Sequence, residues 1–294
     1  MNKGPDFIGI GMERAGTSWL FTQIASHPDI WVPPLKELHF FDVIDPQAFY
    51  LKHRYSYHLK SRLKQKAAPF MNLPNRPEFK KNDYLTYLLW DLYFFTGRFN
   101  IDWYKRLFDD KFTGGKTCGE ITPAYSNLTP ETIQMALTMN PNIKFLLMLR
   151  NPIERMWSGL VHHFRHIEKR SFKDITESEM LDFLKNPAAQ NRSDVASILQ
   201  TWQGNVPADQ IFIQNFERIS KDPEGLIKDT YDYLQVDNSY LPQESLYKKK
   251  INTYTKHDFN IPESIGDYLI NSCMPIINAV EKTHPEITKK WQKI

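Results

Sequence analysis

Short apolar runs alternate with longer amphipathic stretches along most of this chain. The apolar runs, near Phe7–Gly11, Ile30–Val32, Lys116–Glu120, Lys144–Arg150 and Gln210–Asn215, have the length of strands. The stretch Ile143-Lys144-Phe145-Leu146-Leu147-Met148-Leu149 is apolar at nearly every position, the pattern of a strand buried on both faces in a parallel sheet. Between the runs, the spacing predicts helices over Thr17–Ser26, Pro130–Met139, Pro152–His166, Ser193–Trp202 and Pro223–Leu234. Strand–helix alternation of this kind predicts an α/β fold: a parallel central sheet of about five strands flanked by helices. Residues 43–105 break the rhythm. They are rich in Tyr, Phe, Trp and Lys, and read as an aromatic-rich helical insertion within a single domain spanning residues 1–294. Such an insertion forms either a ligand pocket or lid, or additional core. The polar stretch Lys169–Asn191 reads as a further loop on the ligand side.

Candidate chemistry concentrates where strands give way to helices. After the first strand, Met12-Glu13-Arg14-Ala15-Gly16-Thr17-Ser18-Trp19 is a short loop running into a helix. Free backbone N–H groups and the helix dipole converge at such a point and favour an anion. From Gly11 the spacing is G-x-x-x-x-G-T-S. A nucleoside-triphosphate loop needs Lys where Thr17 stands, so ATP or GTP hydrolysis is disfavoured. Arg14, two places before Gly16, is able to fork onto phosphate or sulfate oxygens. The competing reading is a plain turn, with Gly16 for tight packing and Thr17 as a cap.

Two further segments add to this. Lys36-Glu37-Leu38-His39-Phe40-Phe41-Asp42 sets four ionisable groups beside two aromatics. Arg150 closes the most apolar strand, Asn151-Pro152 breaks it, and the following helix carries Arg155, Ser158, His162, His163, Arg165 and His166. Arg150 therefore belongs at the carboxyl end of a central strand, where open α/β sheets bind ligands. The histidine cluster lacks a Cys or carboxylate at ligand spacing and reads as a basic helix face; no metal site is expected.

In these segments the chain resembles the sulfotransferases that use 3′-phosphoadenosine 5′-phosphosulfate (PAPS). Arg14-Ala15-Gly16-Thr17-Ser18-Trp19 resembles that family's 5′-phosphosulfate loop. Arg150-Asn151-Pro152 with Arg155 and Ser158 resembles its 3′-phosphate motif, R-x-P-x-x-R-x-x-S. Lys36–Asp42 is similar to the KE-x-HFFD stretch of the carbohydrate-type branch, and Gly119-Glu120-Ile121-Thr122-Pro123-Ala124-Tyr125 to another segment of that branch. The four segments occur in order between residues 7 and about 160; beyond residue 190 only a loose pattern remains.

The resemblance implies a P-loop-like sulfotransferase fold and transfer of a sulfuryl group from PAPS to a hydroxyl, leaving 3′,5′-adenosine bisphosphate (PAP), with no metal. It implies Glu37 as general base and Arg14 beside the bridging region of the phosphosulfate. Gly16, Thr17 and Ser18, with Ala15, would hold the 5′-phosphate; Trp19 would lie near the adenine; Arg150 and Ser158 would hold the 3′-phosphate. Lys249 and Lys250, in the basic run Lys248–Asn252, match a late loop that closes over the nucleotide, or form a solvated charge run. His39 is a second acid/base or a structural residue. Lys36 contacts acceptor or sulfate, or is a solvated loop Lys. Glu120 orients the acceptor or pairs with a loop cation. The KE-x-HFFD and G-E-x-T-P-A-Y segments favour a carbohydrate-like acceptor, the aromatic insertion leaves room for a lipid or small-molecule alcohol, and Arg14, which departs from the Lys usual in the carbohydrate branch and matches the tyrosylprotein branch, makes protein tyrosine the third choice. The alternatives are a P-loop-type small-molecule kinase and a non-catalytic PAPS/PAP-binding sensor.

Charge and cysteine content narrow the setting. With 37 basic and 34 acidic residues the net charge is only +3, which does not point to a nucleic-acid partner. Two cysteines, Cys118 and Cys273, give no disulfide framework and fit a reducing, cytoplasmic location. No apolar run approaches the eighteen residues of a membrane span, and the expectation is a soluble, bacterial-type member without a leader before the first strand.

Overall fold

A computed structural model describes residues 4–46, 84–248 and 261–291. Five strands form one sheet: β1 (Phe7–Gly11), β2 (Ile30–Trp31), β3 (Thr117–Ile121), β4 (Lys144–Leu149) and β5 (Ile211–Asn215). All pairs are parallel and the spatial order is β2-β3-β1-β4-β5. β1 lies in the middle, with Phe7 opposite Gly119 of β3 and Lys144 of β4. Every residue of β1, and all of β4 but Lys144, is buried, as strands covered by helices on both faces must be. Gly119 answers this crowding: a Cβ there would stand 2.3 Å from the Phe7 carbonyl oxygen.

The helices that frame the site are α1 (Thr17–Ser26), α2 (Phe41–Ile44), α3 (Tyr84–Thr96), α4 (Ile101–Arg106), α5 (Pro130–Met139), α6 (Pro152–His162), α7 (Glu177–Lys185), α8 (Val195–Asn205), α9 (Pro223–Leu234) and α10 (Glu263–Thr283). Pro152 occupies the first turn of α6 and the Asn151 side chain caps it, accepting the Ile153 N–H at 2.9 Å. α6 buries most of its residues because α7 and α10 cover it, through a second apolar cluster of Met156, Trp157, Leu160, Leu184, Leu269 and Cys273.

The five strands and the parallel sheet match the expectation from the sequence, with boundaries shifted by a residue or two. Two expectations change, and one open alternative is narrowed. The single helix foreseen over Pro152–His166 is α-helical only to His162; His163–Ile167 is a π-turn. Lys169–Asn191 is not a ligand-side loop: α7 and the short helix Pro187–Asn191 occupy most of it and pack on α6. Within the aromatic-rich insertion, one face of the described part joins the main core, while Leu85, Leu88, Leu89 and Leu92 of α3 stay exposed. Trp90 stacks on Phe94, and Phe40 stacks on Tyr104 at 4.5 Å. Residues 47–83 of that insertion lie outside the described residues.

Candidate functional site

The chain leaves β1 to build β2 and β3 on one side, then crosses to β4 and β5 on the other. The crevice at the carboxyl ends of β1 and β4 is therefore the topological switch point, where α/β sheets hold ligands. Both anion-type loops open there. The Met12 N–H is fixed to the Met148 carbonyl at 2.7 Å, and the Ala15 N–H closes a tight turn on the Met12 carbonyl at 3.2 Å. Ala15 thus spends its donor inside the loop. Gly16 caps α1 in the left-handed region, φ 81°, with Ile219 2.3 Å from where a Cβ would be, so a side chain is excluded on both counts. The first intrahelical bond runs from the Leu20 N–H to the Gly16 carbonyl, so the N–H groups of Thr17, Ser18 and Trp19 precede the helical ladder.

Arg14 and the β4 loop meet across this crevice. The Arg14 Nε donates to Ser158 Oγ at 3.2 Å, and the Arg150 Nη1 donates to the Arg14 carbonyl at 2.9 Å. Arg150 also reaches Glu154 at 3.4 Å and lies over the Phe216 ring at 4.3 Å, while its Nε is buried without a hydrogen-bond partner. Burial lowers the pKa of Arg14, and the Arg150 charge lowers it further. Two guanidinium groups held this close, one with an unused buried donor, make a site that fits an anion.

Arg155, the second Arg of the motif, is spent differently. Its side chain is buried and donates to the Glu13 carbonyl, the Ala189 carbonyl and Ser193 Oγ, and it pairs with Glu13 at 3.4 Å. Arg192 approaches the same carboxylate at 3.6 Å. Arg155 and Arg192 therefore brace the loop from behind. His162, one turn past Ser158, stacks on His166 at 5.3 Å; burial, then Arg14 and His166, push it down to about 4. His163 turns away to Glu168 at 2.9 Å.

The carboxylate segment joins this loop through Lys36. Its Nζ donates to Ser18 Oγ at 3.0 Å and to Glu37 Oε1 at 2.7 Å. Glu37 Oε2 stands 3.7 Å from His39 Nε2, and His39 Nδ1 bonds Asp42 Oδ2 at 2.6 Å. Burial pushes the Glu37 carboxyl up, but the Lys36 ammonium and the His39 imidazolium outweigh it and hold it at about 2. Burial pulls His39 down, but its hydrogen bond to Asp42 and the nearby Asp42 and Glu37 carboxylates raise it to about 10. At neutral pH Glu37 is thus carboxylate and His39 imidazolium, with Asp42 bonded to the far nitrogen of the ring. Arg14, Glu37 and His39 are three of the five non-glycine residues with positive φ among the described residues, at 66°, 65° and 52°. Left-handed backbone at side-chain-bearing residues costs on the order of 1–3 kcal/mol each and clusters where function demands it.

Glu120 holds this segment in place. It is wholly buried, and its carboxylate accepts from the Leu38 N–H, Tyr104 O–H, Thr122 O–H and Tyr125 O–H at 2.6–3.1 Å. Tyr125 in turn accepts the Phe40 N–H at 2.8 Å. Burial nonetheless raises the Glu120 pKa. Glu120 therefore neither faces a ligand nor pairs with a loop cation, as its sequence position had suggested.

Trp19 also departs from expectation. Its ring is 2 % exposed and its N–H is taken by the Tyr247 carbonyl at 2.9 Å, so the adenine contact implied for it does not fit its packing. Trp202 is buried and donates to the Ser126 carbonyl at 3.0 Å. Lys248 pairs with Glu244; Lys249 and Lys250 lie outside the described residues. Glu13, Asp42, Tyr104 and Tyr125 are supports that no motif in the sequence marks as such. Of these only Asp42 carried a local signal, its i,i+3 spacing from His39.

Among the described residues no helix is long and apolar enough to cross a membrane. The fold is shared with solved sulfotransferases. The chain superposes on the enzyme from Alicyclobacillus acidocaldarius with a TM-score of 0.59 at 21% identity, covering 95% of both chains. It matches the sulfotransferase domain of the curacin biosynthetic pathway with a TM-score of 0.55 at 15% identity, covering 95% of this chain and 98% of that one. For the sulfotransferase domain of the Synechococcus PCC 7002 olefin synthase the values are 0.53 and 16%, covering 92% and 94%. The sequence itself matches the sulfotransferase family over residues 5–240. With that match spanning most of the chain, and the anion loops and carboxylate meeting at the switch point, the protein belongs to the sulfotransferase family.

Proposed function

We propose that this sulfotransferase takes its sulfuryl group from PAPS and delivers it to a hydroxyl, with a carbohydrate-like acceptor favoured by the KE-x-HFFD and G-E-x-T-P-A-Y segments. The observation that carries the reading is Lys36, which bonds both Ser18 of the anion loop and Glu37. It sets a fully ionised carboxylate beside the anion site. PAPS, when bound, supplies an activated sulfuryl group on a phosphate leaving group.

The residues present fit such a donor. Arg14, the α1 N-terminus, Thr17 and Ser18 would hold the 5′ end, and Arg150 with Ser158 the 3′-phosphate. Glu37 is in the proton-accepting form and would take the acceptor's hydroxyl proton, a role typically worth ~10²–10⁴-fold. His39, charged and anchored by Asp42, orients Glu37 and balances its charge. Lys36 and Arg14 hold positive charge where negative charge builds on the leaving group; pre-aimed donors of this kind are worth roughly 3–4 kcal/mol each. The kinase alternative lacks a Lys at position 17. A sensor that only binds nucleotide has no need of the Asp42–His39–Glu37 chain.

The test is an acceptor panel with ³⁵S-labelled PAPS: oligosaccharides, aliphatic alcohols and tyrosyl peptides, each with the wild type and Glu37→Gln. Label transferred to an oligosaccharide and lost in Glu37→Gln supports the reading. Transfer only to alcohols or tyrosyl peptides rejects the acceptor class, and equal transfer by Glu37→Gln rejects the base.

A further inference from the structure

The segment after β5 places a second acidic group at the Arg150 site. The Phe216 N–H donates to the Leu149 carbonyl at 2.7 Å, which pins Phe216 and Glu217 beside the end of β4. Phe216 then carries the Arg150 guanidinium on its ring. Both side-chain oxygens of Glu217 are buried and have no hydrogen-bond partner, and the same is true of Arg150 Nε. The N–H groups of Asn151 and of Glu217 itself lie close enough to favour the charged carboxylate, but outside hydrogen-bonding geometry. From α6, Glu154 reaches Arg150 at 3.4 Å. The Arg150 charge thus pairs directly with Glu154 and acts on Glu217 only through space. The neighbouring Arg218 is engaged elsewhere, by Asp222 and Asp229 at 2.7 Å each. Arg14, bound to Ser158, stands across the crevice, with Lys36, Glu37 and His39 beyond Ser18 and Glu13 held by Arg155; His162 faces Arg14 and, pushed down to about 4, is neutral at neutral pH.

A phosphate monoester arriving at Arg150 brings up to two negative charges to this spot. A buried carboxylate with no donor in hydrogen-bonding geometry cannot stay ionised beside them at no cost; like charges that share a site raise one another's pKa. We propose that Glu217 takes up a proton from solvent when a phosphate monoester binds at Arg150, so that nucleotide binding and Glu217 protonation are one coupled event. The inference rests on the reading that Arg150 and Ser158 hold the nucleotide's 3′-phosphate. The carboxyl is already poised for this: burial, with Glu154 adding and Arg150 opposing, pushes it up to about 7. Coupling of this sign makes the bound nucleotide weaken as pH rises through neutrality, which assists product release on the alkaline side.

The experiment is calorimetric titration of the full chain with PAP at pH 7.5, in two buffers of different ionisation enthalpy, for wild type, Glu217→Gln and His162→Gln. Proton uptake of about half a proton or more per PAP is expected in the wild type and in His162→Gln, and none in Glu217→Gln. The phosphate itself cannot mimic this, because a phosphate held by arginine releases its proton rather than gaining one. From pH 7 to 9, wild-type affinity is expected to fall by up to about tenfold per unit more than that of Glu217→Gln. If Glu217→Gln fails to fold, uptake by the wild type that survives in His162→Gln still supports the proposal. PAP binding without wild-type uptake, uptake that survives in Glu217→Gln, or uptake lost in His162→Gln overturns it. PAP binding no tighter than 5′-AMP shows instead that the 3′-phosphate reading itself has failed.

Discussion

Arg14 and Ser158, 144 positions apart in the chain, share a 3.2 Å hydrogen bond across the mouth of the β1–β4 crevice. It joins the loop after the central strand to the helix after its neighbour, so the two anion-binding segments are held as one surface. Replacing Ser158 by Ala is expected to leave the fold intact and to weaken PAP binding more than 5′-AMP binding. Loss of one such hydrogen bond to a charged group corresponds to about 1.5–3 kcal/mol, or roughly ten- to a hundredfold in affinity. Calorimetry with the two nucleotides reads the difference.

Glu37→Gln keeps the shape of the carboxylate and removes its basicity. The expected result is a turnover lower by ~10²–10⁴-fold with PAP affinity changed little, read by label transfer and calorimetry on the same preparation. His39→Asn is expected to lower turnover through loss of orientation and charge balance, and Glu37 would then titrate at higher pH.

The ion pairs of this segment also set a pH window for stability. Glu37 is held at about 2, below its unfolded value, so its contribution is present above about pH 4.5 and is lost as pH falls toward 2. His39 is held at about 10, above its unfolded value, so its contribution is full below about pH 6.5 and is lost as pH rises toward 10. Urea-denaturation midpoints are therefore expected to decline on both sides of a plateau at about pH 4.5–6.5, and the alkaline decline is expected to shrink in His39→Asn.

Glu120 is the test of the scaffold behind the site. Four donors converge on its buried carboxylate, including the Leu38 N–H in the middle of the Lys36–Asp42 segment. Glu120→Ala would strand them, and a loss of about 2–5 kcal/mol in unfolding free energy is expected, measured by urea melts. Glu120→Gln keeps the shape but sets an amide N–H₂ against donors, and is expected to fall between wild type and Ala.

Which of these features could be read from the sequence follows from their physics. The sheet was legible because a strand buried on both faces must be apolar throughout, as Phe145–Leu149 is, and because Gly16 and Pro152 mark where helices begin. The place of Arg150 at the carboxyl end of a central strand, and of Arg14 in the loop after β1, followed from parallel topology, whereas Glu37 and Ser158 were legible only through the family resemblance. What could not be read was the use of each donor. Trp19 and Arg155 are residue types that suit a ligand, yet long-range packing spends the first on the Tyr247 carbonyl and the second on Glu13, Ala189 and Ser193. Glu120 looks like a site carboxylate until Tyr104 and Tyr125 are brought onto it. The π-turn at His163–Ile167 carries no marker in composition, since α and π turns draw on the same residues.

Calorimetric titration with PAP, with 5′-AMP and ATP alongside, tests the central claim most directly. PAP is expected to bind at least tenfold tighter than 5′-AMP, with the difference abolished in Arg150→Ala. Equal affinity for PAP and 5′-AMP, or a preference for ATP, would contradict it.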